Sequence, residues 1–511
     1  MGRLGSSLAP MSMALCVGVL AGCGGATDST ASAVGAAAEA PTTSVTSATP
    51  SSPLPLSVLV FNVEYGGTPA TDAVIADLHA DVVGVLESYN RLPKIAAAAG
   101  YPYYDVGLQI LSKYPILEPS GAHGLYAYIE VRPGLAVAMV NTHLDYVHDG
   151  PNRLNRGASV ADVLATEKQV RLSTIRKLLP SATHLLGDGW PLLLTGDLNE
   201  PSHLDWTAQT ASQHGGIGPV AWPVSEALTS AGLHDSYREA HPNPVTDPGD
   251  TWGHVAGSHG TPRRIDYAYV GGPVDVGSSQ VVGERGGLGV DLGYPKWTSD
   301  HRAVLSHLTL TPAPIPTTVA LSSRLVSRGD DLTASYRLPA GTFSGRVAVA
   351  GPSHASYDVS GPSGTVHLAT DGLRAGVYRI RLLDQDDVVV ATNQLTVRPV
   401  SARIHLTTDA SSYPVGRPIT AHWSVGPANR WDWVAVYRAG ADDPKKDDYL
   451  VWAYTGGHDA GALPPSTHGE LVFGRDQQGR PWPLPPGRYT LHYLLTDQYN
   501  SVGATSFTVH R

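Results

Sequence analysis

The chain has 511 residues, with 35 Lys and Arg against 45 Asp and Glu, so its formal net charge is −10 at pH 7. No run or stripe of basic residues interrupts this acidic balance, which argues against a surface dedicated to a nucleic-acid polymer without excluding one. Only two cysteines occur, Cys16 and Cys23, which excludes thiolate metal sites and a disulfide framework.

The first 23 residues are typical of an export signal. A positive start at Arg3 precedes an apolar stretch over residues 11–20, which is too short to span a bilayer. The sequence Leu-Ala-Gly-Cys at 20–23 resembles the lipobox of bacterial lipoproteins, which implies cleavage before Cys23 and lipidation of its thiol. The alternative is a plain signal peptide with an incidental cysteine. The first interpretation predicts an exported protein, anchored to the membrane of the cell envelope through Cys23.

Residues 24–55 are mostly Ala, Ser and Thr. Such a composition cannot bury enough apolar surface to fold. We expect a disordered tether with an end-to-end distance of roughly 30 Å.

Residues 56–311 are numerous enough for one large α/β core. Apolar runs predict strands, and 3.6-residue periodicity predicts helices, of which the clearest carries a Glu167–Arg171 pair. In chain order the predicted elements are strand 57–61, helix 71–79, strand 81–86, strand 135–141, helix 162–179, strand 192–195, strand 266–270 and strand 303–310. This order favours two packed mixed sheets with helices outside.

Polar clusters follow or precede these apolar runs: FNVEYG, VLES, NTHLDY, TGDLNE, RIDY and TSDHRAV. Carboxylates gathered at the ends of several strands repel one another unless a cation or a proton offsets them. Because the candidate ligands are oxygen donors, a metal there would be Mg²⁺, or else Mn²⁺ or Ca²⁺.

Together with ILSKYPI at 110–116, these clusters occur in the order and spacing of a known family. Residues 56–310 resemble the endonuclease/exonuclease/phosphatase superfamily, whose deoxyribonuclease I-like fold is a four-layered αββα sandwich. The resemblance implies metal-dependent hydrolysis of phosphate esters. Each residue taken singly also has a structural explanation, such as a turn former or a surface histidine.

The resemblance also implies a set of metal ligands. Glu87 would be the principal ligand, with Asn62 beside it and Asp300 at the metal. Glu64, two residues after Asn62, would either bind a second metal or cap a turn.

The remaining site residues would act on the phosphate. Asp197 would orient the attacking water, and Asn199 would hold a phosphoryl oxygen. His301, oriented by Asp266, would be a general base or an electrostatic partner. His143 would donate a hydrogen bond to a non-bridging oxygen.

The pattern changes after a Pro-rich segment at 312–316, which predicts a stiff linker with few contacts. Two similar sequences, AGVYRIRLLDQ at 375–385 and PGRYTLHYLLTDQ at 486–498, indicate tandem β-sandwich modules at 317–399 and 402–511. We expect both to be Ig-like domains, and the second, which resembles Ig-like modules, contains alternating aromatics around Trp433 and Trp452. We expect them to pack in its core rather than to form a binding surface.

These observations predict an exported phosphoesterase, expected to be a monomer, that acts on small organic phosphates, phosphodiesters or phospholipid headgroups. One alternative is an extracellular nuclease, for which nucleic acid would be a substrate only. The other is a non-catalytic lipoprotein that binds surfaces. Several arginines and a lysine could contact the substrate phosphate, namely Arg153, Arg156, Arg263, Arg264 and Lys296.

Overall fold

The computed structural model describes residues 52–511 except 123, 147, 256, 257, 259, 399–403, 427–430, 441–443, 445–448, 456–466, 475–477, 480, 481 and 497. The predicted export signal, the lipidation site Cys23, nearly all of the predicted tether and His123 lie outside the described residues. In the part described, no helix combines the length and the apolar character needed to cross a membrane.

The first region carries a layered α/β fold. Its elements in chain order are β1 Leu54–Asn62, α1 Pro69–Leu78, β2 Val82–Leu86, α2 Leu92–Ala99, β3 Tyr103–Asp105, β4 Ile110–Ser112, β5 Ile116–Leu117, β6 Ala127–Arg132, β7 Leu135–His143, α3 Gly150–Asn155, α4 Val160–Gln169, α5 Arg171–Gly187, β8 Leu192–Asp197, α6 Pro223–Ser230, β9 Leu233–Asp235, α7 Ser236–Ala240, β10 Asp266–Gly271, β11 Val274–Glu284, β12 Leu292–Tyr294, β13 Ala303–Leu310 and β14 Ala313–Pro314.

Two mixed sheets form the centre of this region, with strand orders β12-β11-β13-β1-β2-β4-β3 and β5-β6-β7-β8-β10-β9. Alternate residues of β1 point to opposite faces. Val58 packs with Met139 and Leu193 of the other sheet, whereas Phe61 packs outward with residues of α1 and α2. Helices α5 and α6 cover the outer face of the second sheet. The predicted αββα layering is therefore confirmed.

The pairing of the strands brings the polar clusters to one end of the two sheets. In the parallel pair β1 and β2, Asn62 lies opposite Leu86, directly before Glu87. In the parallel pair β7 and β8, His143 lies opposite Asp197. Asp266, the first residue of β10, also lies opposite Asp197.

The helix predicted at 162–179 is instead two helices, α4 and α5, separated at Val170. Val170 has φ −96° and ψ −79°, outside the usual α-helical values, so the backbone changes direction there. Hydrophobic periodicity does not register such a local change. The Glu167–Arg171 ion pair joins the two helices and is buried rather than exposed on one of them.

The segment 312–316, predicted to be a linker with few contacts, belongs to the fold. Ala313 pairs with Ala136 of β7, and the Ile315 N–H donates to the Gly134 carbonyl at 2.9 Å. Ile315 is buried in the same core as residues of β5 and α5. Proline suits this position because β14 is a short edge strand with few ladder hydrogen bonds to lose.

The C-terminal region is all β. Its strands are β15 Thr318–Leu321, β16 Leu325–Ser327, β17 Thr333–Arg337, β18 Ser344–Ala350, β19 His354–Ser360, β20 Ser363–His367, β21 Gly376–Asp384, β22 Val389–Arg398, β23 His405–Thr408, β24 Ser412–Pro414, β25 Ile419–Ser424, β26 Trp433–Arg438, β27 Val451–Tyr454, β28 Gly469–Phe473, β29 Gln478–Gly479, β30 Gly487–Leu494 and β31 Ser501–His510.

These strands form two successive modules of two sheets each. The first has sheets β15-β17-β20 and β16-β22-β21-β18-β19, and the second has sheets β23-β25-β28 and β24-β31-β30-β26-β27-β29. Each pair of sheets encloses one core. The two similar sequences fall on the equivalent strands β21 and β30, and each of these strands has an irregularity near its end. The structure thus has two tandem β-modules, and their Ig-like character stays a prediction.

Candidate active site

Asn62, at the end of β1, connects two carboxylates at the ends of β2 and β8. Its Nδ2 donates to Glu87 Oε1 and to Asp197 Oδ2, each at 3.1 Å. Its Oδ1 accepts from the Glu64 N–H at 3.0 Å. In this arrangement Asn62 fixes the two carboxylates through its amide nitrogen, and its role as a metal ligand stays a prediction.

Glu87 lies at a backbone turn with φ 57°, in the left-handed region. Its Oε2 accepts from the Tyr65 N–H at 3.0 Å and from the Tyr89 hydroxyl at 3.4 Å. Glu64, Tyr65 and Asn199 also have positive φ. Non-glycine residues in this region cost about 1 kcal/mol or more each, and here they cluster around one group of carboxylates.

Asp197 is buried between two histidines. His143 Nε2 lies 3.4 Å and His301 Nε2 3.7 Å from Asp197 Oδ2. Burial alone would raise the pKa of Asp197, but His301 and His143 lower it to about 2. Burial would likewise lower the pKa of His143, whereas its hydrogen bond to Asp197 raises it to about 9. Asn199 Nδ2 lies 3.2 Å from His143 Nε2, so the two predicted phosphate-binding side chains are adjacent.

His301 and Asp266 form the predicted histidine–carboxylate pair. His301 Nδ1 lies 2.9 Å from Asp266 Oδ2, and the Asp266 N–H donates to the Thr251 hydroxyl at 3.1 Å. Burial would lower the pKa of His301, but Asp266 and Asp197 raise it to about 10. In the metal-free protein these carboxylates favour the protonated imidazole, and the choice between a general base and an electrostatic partner stays a prediction.

Glu64 and Asp300 meet at the opening of the site. The Asp300 N–H donates to Glu64 Oε2 at 3.0 Å, and both predicted roles of Glu64, as a ligand of a second metal or as a turn cap, stay predictions. Burial and the neighbouring charge of Asp300 raise the pKa of Glu64. Burial also raises the pKa of Asp300, and Glu87 adds to this shift. This repulsion between oxygen donors fits a divalent cation, which would relieve it.

The tightest group of ligand-type side chains in the described part of the chain is not the predicted ligand set. Atoms of Asp197, Asp266 and His301 lie within 4.8 Å of one another. However, the contact between His301 and Asp266 is itself a hydrogen bond that occupies one atom of each. The predicted ligands Glu87 and Asp300 are partly exposed, and their role as a metal site stays a prediction.

Sequence reasoning missed the residues that support the site. The Ser299 hydroxyl donates to the Asn62 carbonyl at 2.7 Å and accepts from the His301 N–H at 3.0 Å. Thr251 accepts from Asp266, as described above. Ser299 could have been found from its place two residues before His301, whereas nothing near Thr251 in the sequence signals its role.

The two most buried of the arginines considered for phosphate binding are engaged elsewhere. Arg264 is fully buried and pairs with Asp205 at 2.8 Å and Asp235 at 2.6 Å. Arg263 pairs with Asp149 and lies over the Trp252 ring. Arg264 is not available for a phosphate, because its loss would leave two buried carboxylates unpaired, whereas the partner of Arg263, Asp149, is partly exposed.

A cavity of about 170 Å³ opens beside Glu87 and His143. Nine aromatic side chains line it, three from the first region and six from the second β-module: Tyr65, Tyr89 and Tyr146, and Trp431, Trp433, Tyr449, Trp452, Tyr454 and Tyr499. The aromatics predicted to be core residues therefore also form one wall of the candidate site.

Comparisons with known proteins agree with this geometry. Residues 59–301 match the model of the endonuclease/exonuclease/phosphatase family. An uncharacterized Caenorhabditis elegans protein, F14F9.5, is 30% identical over 240 residues, which are 42% of this chain and 75% of the worm protein.

Two solved structures are similar at lower identity. The endonuclease/exonuclease/phosphatase from Beutenbergia cavernae is 18% identical, with a TM-score of 0.33 over 67% of this chain and 99% of that one. The mannosyl-6-phosphatase Bt3783 of Bacteroides thetaiotaomicron is 16% identical, with a TM-score of 0.32 over 50% of this chain and 99% of that one. From the family match and the worm relative, the chain belongs to the endonuclease/exonuclease/phosphatase family, whose members hydrolyse phosphoester bonds.

Proposed function

We propose that the protein is an exported, metal-dependent phosphoesterase that cleaves a P–O bond of a small organic phosphate, a phosphodiester or a phospholipid headgroup by attack of water. The observation that carries this proposal is the convergence of the site residues at one end of the two sheets, with His301 2.9 Å from Asp266 and Asn199 3.2 Å from His143. A family domain without catalysis has no physical reason to keep so many buried charges together.

Glu87 and Asp300, with Asn62 and Glu64 next to them, would hold the cation, which is Mg²⁺ or else Mn²⁺ or Ca²⁺. When bound, the cation neutralises charge on the phosphate and lowers the pKa of water. The protein groups supply the rest of the chemistry, which is mainly positioning and electrostatic stabilisation.

Each remaining residue has a role that its contacts support. Asp197 has a low pKa and stays ionised, so it accepts a hydrogen bond from the attacking water and orients it. His301 and His143 are cationic and stabilise the negative charge that builds on the phosphoryl oxygens. Asp266 keeps His301 in one orientation through Nδ1. Asn199 donates its amide N–H to a further phosphoryl oxygen.

The charge and the size of the site favour a small substrate over a polymer. Arg263 and Arg264 are paired within the protein, and the cavity is smaller than the usual range for drug-sized ligands. Lipid anchoring through Cys23 would place the enzyme at a membrane surface.

A substrate panel tests the proposal. We expect hydrolysis of bis-p-nitrophenyl phosphate or p-nitrophenyl phosphate with Mg²⁺, loss of it in Glu87→Gln, and little cleavage of plasmid DNA. Efficient cleavage of DNA alone would instead support the nuclease alternative. No hydrolysis of any phosphoester with any divalent cation would support the non-catalytic alternative.

A further inference from the structure

The second β-module contacts the catalytic region at the site itself. The Tyr449 hydroxyl lies 3.2 Å from the Tyr146 hydroxyl, and Gln498 Nε2 donates to the Tyr89 carbonyl at 2.9 Å. Tyr89 is the residue whose hydroxyl contacts Glu87. The module is therefore held within a few residues of a proposed metal ligand, and its aromatic side chains face the same cavity.

The aromatic rings of this wall are nearly perpendicular to one another. Trp433 makes edge-to-face contacts with Tyr449, Trp452 and Tyr499, with interplanar angles of 80°, 84° and 79°. Ring centroids in these pairs are 5.4 to 5.9 Å apart. Rings at right angles to one another can surround a compact ligand group from several sides. A planar base or a sugar would instead call for parallel faces.

The charges around the cavity favour a cation. Its lining includes the carboxylates of Glu87 and Asp145, the imidazole of His143 and, among the described residues, neither Lys nor Arg; Glu87 and His143 lie at the end assigned to the metal and the phosphate. The face of each aromatic ring carries partial negative charge and attracts cations, most strongly when they are desolvated. The aromatic wall therefore suits a cation, whereas the phosphate would lie at the end of the cavity with Glu87 and His143.

The volume limits the size of the group. A cavity of about 170 Å³ is close to one that holds a benzene molecule. A group of that size, such as trimethylammonium, fits.

We propose that the second β-module completes the substrate site with an aromatic box that binds a quaternary ammonium group carried by the phosphoester. This inference rests on the proposed phosphoesterase function and names its substrate class, an ester of choline-like chemistry. In the reaction water adds to phosphorus, the P–O bond to the leaving group breaks, and the proton of water passes to the leaving oxygen. The box acts by positioning the ester and takes no part in this transfer.

Paired substrates test the box on the full chain. The first is p-nitrophenyl phosphorylcholine, and the second is p-nitrophenyl 3,3-dimethylbutyl phosphate, which has the same shape with a neutral carbon in place of nitrogen. We expect kcat/KM to favour the choline ester by about 10-fold or more, in line with a desolvated cation–π contact. Equal values for the two esters would overturn the proposal.

Exposed residues of the lining provide variants that should fold. Tyr65 and Tyr499 are 78% and 43% exposed, and replacing either with Leu should reduce the preference for the choline ester. The matched control is Phe343→Leu, which replaces an aromatic that is 65% exposed and lies outside this cavity, and it should keep the full preference. Loss of preference in the control alone would contradict the assignment.

A binding measurement separates this inference from the proposed function. Tetramethylammonium should quench tryptophan fluorescence and inhibit hydrolysis competitively, whereas tert-butanol at the same concentration should do neither. Binding without hydrolysis of any ester would overturn the phosphoesterase function and leave the cation site supported. Hydrolysis of both esters without tetramethylammonium binding would overturn the box alone. Phosphatidylcholine vesicles, tested beside the soluble ester, distinguish a lipid headgroup from a free ester as the source of the cation.

Discussion

The buried pair of His301 and Asp266 gives the sharpest test of the site. We expect His301→Ala and Asp266→Asn each to lower kcat by at least about 10²-fold, the scale of a general-base or electrostatic contribution, while KM changes little. A 10²-fold loss corresponds to about 2.7 kcal/mol of transition-state stabilisation. This magnitude is reasonable because the Nδ1–Oδ2 distance is 2.9 Å and Asp266 is completely buried, so water cannot replace the carboxylate.

The double variant distinguishes a coupled pair from two independent groups. Because both residues act through one imidazole, the double variant should be hardly worse than either single variant. The assay is release of p-nitrophenol from a saturating substrate with Mg²⁺, with urea unfolding to verify the fold. His234→Ala is the matched control, since His234 lies 3.7 Å from Glu239 in an exposed pair, and it should keep wild-type kcat. Losses that multiply, or near-normal kcat in Asp266→Asn, would refute the coupling.

Three further predictions concern the metal, the buried acids and the anchor. EDTA should abolish hydrolysis, Mg²⁺ or Mn²⁺ should restore it, and Glu87→Gln should stay folded but require more metal; full activity after exhaustive chelation would contradict metal dependence. Burial and the adjacent Glu167 raise the pKa of Glu200 well above 4.5. The folded chain therefore keeps a proton on Glu200 at pH values where the unfolded chain has lost it. The free energy of unfolding consequently falls as the pH rises from 4.5 through the pKa of Glu200 in the folded protein. Glu200→Gln should therefore raise the midpoint of urea unfolding at pH 8 but not at pH 4. The control substitution Glu226→Gln, at an exposed glutamate, should leave the midpoint unchanged at both pH values. If Cys23 is lipidated, wild-type protein should partition into detergent and Cys23→Ser should not; equal partitioning would count against the anchor.

The layered fold and the position of the site could be predicted because both depend on local patterns. Asn62, Glu87, His143 and Asp197 each follow an apolar strand, and parallel pairing carries such residues to one end of a sheet. The spacing of short motifs therefore identified most of the side chains that meet there.

Contacts between distant segments could not be predicted in the same way. Tyr449 meets Tyr146 across 303 residues of sequence, and Arg264 meets Asp205 across 59. In neither pair does the sequence around one residue indicate its partner. For Tyr449, the alternating aromatics of its module are equally consistent with a module core and with the wall of a binding site. The change of direction at Val170 was missed because it depends on one ψ angle within a continuous hydrophobic pattern.

The pairing of β14 with β7 has a mechanical consequence. β7 ends at His143, and its neighbour β14 leads directly into the first β-module, where Asn393 Nδ2 donates to the Glu118 carbonyl at 2.9 Å. A protease that needs an extended, accessible stretch of chain would find only a short one at the junction, because Ala313 pairs with β7 and Ile315 is hydrogen-bonded and buried, which leaves Pro316 and Thr317 exposed. The segment between the hydrolase sheet and the first β-module is therefore a rigid connection and not a flexible hinge. Heating should accordingly unfold the two in a single cooperative transition.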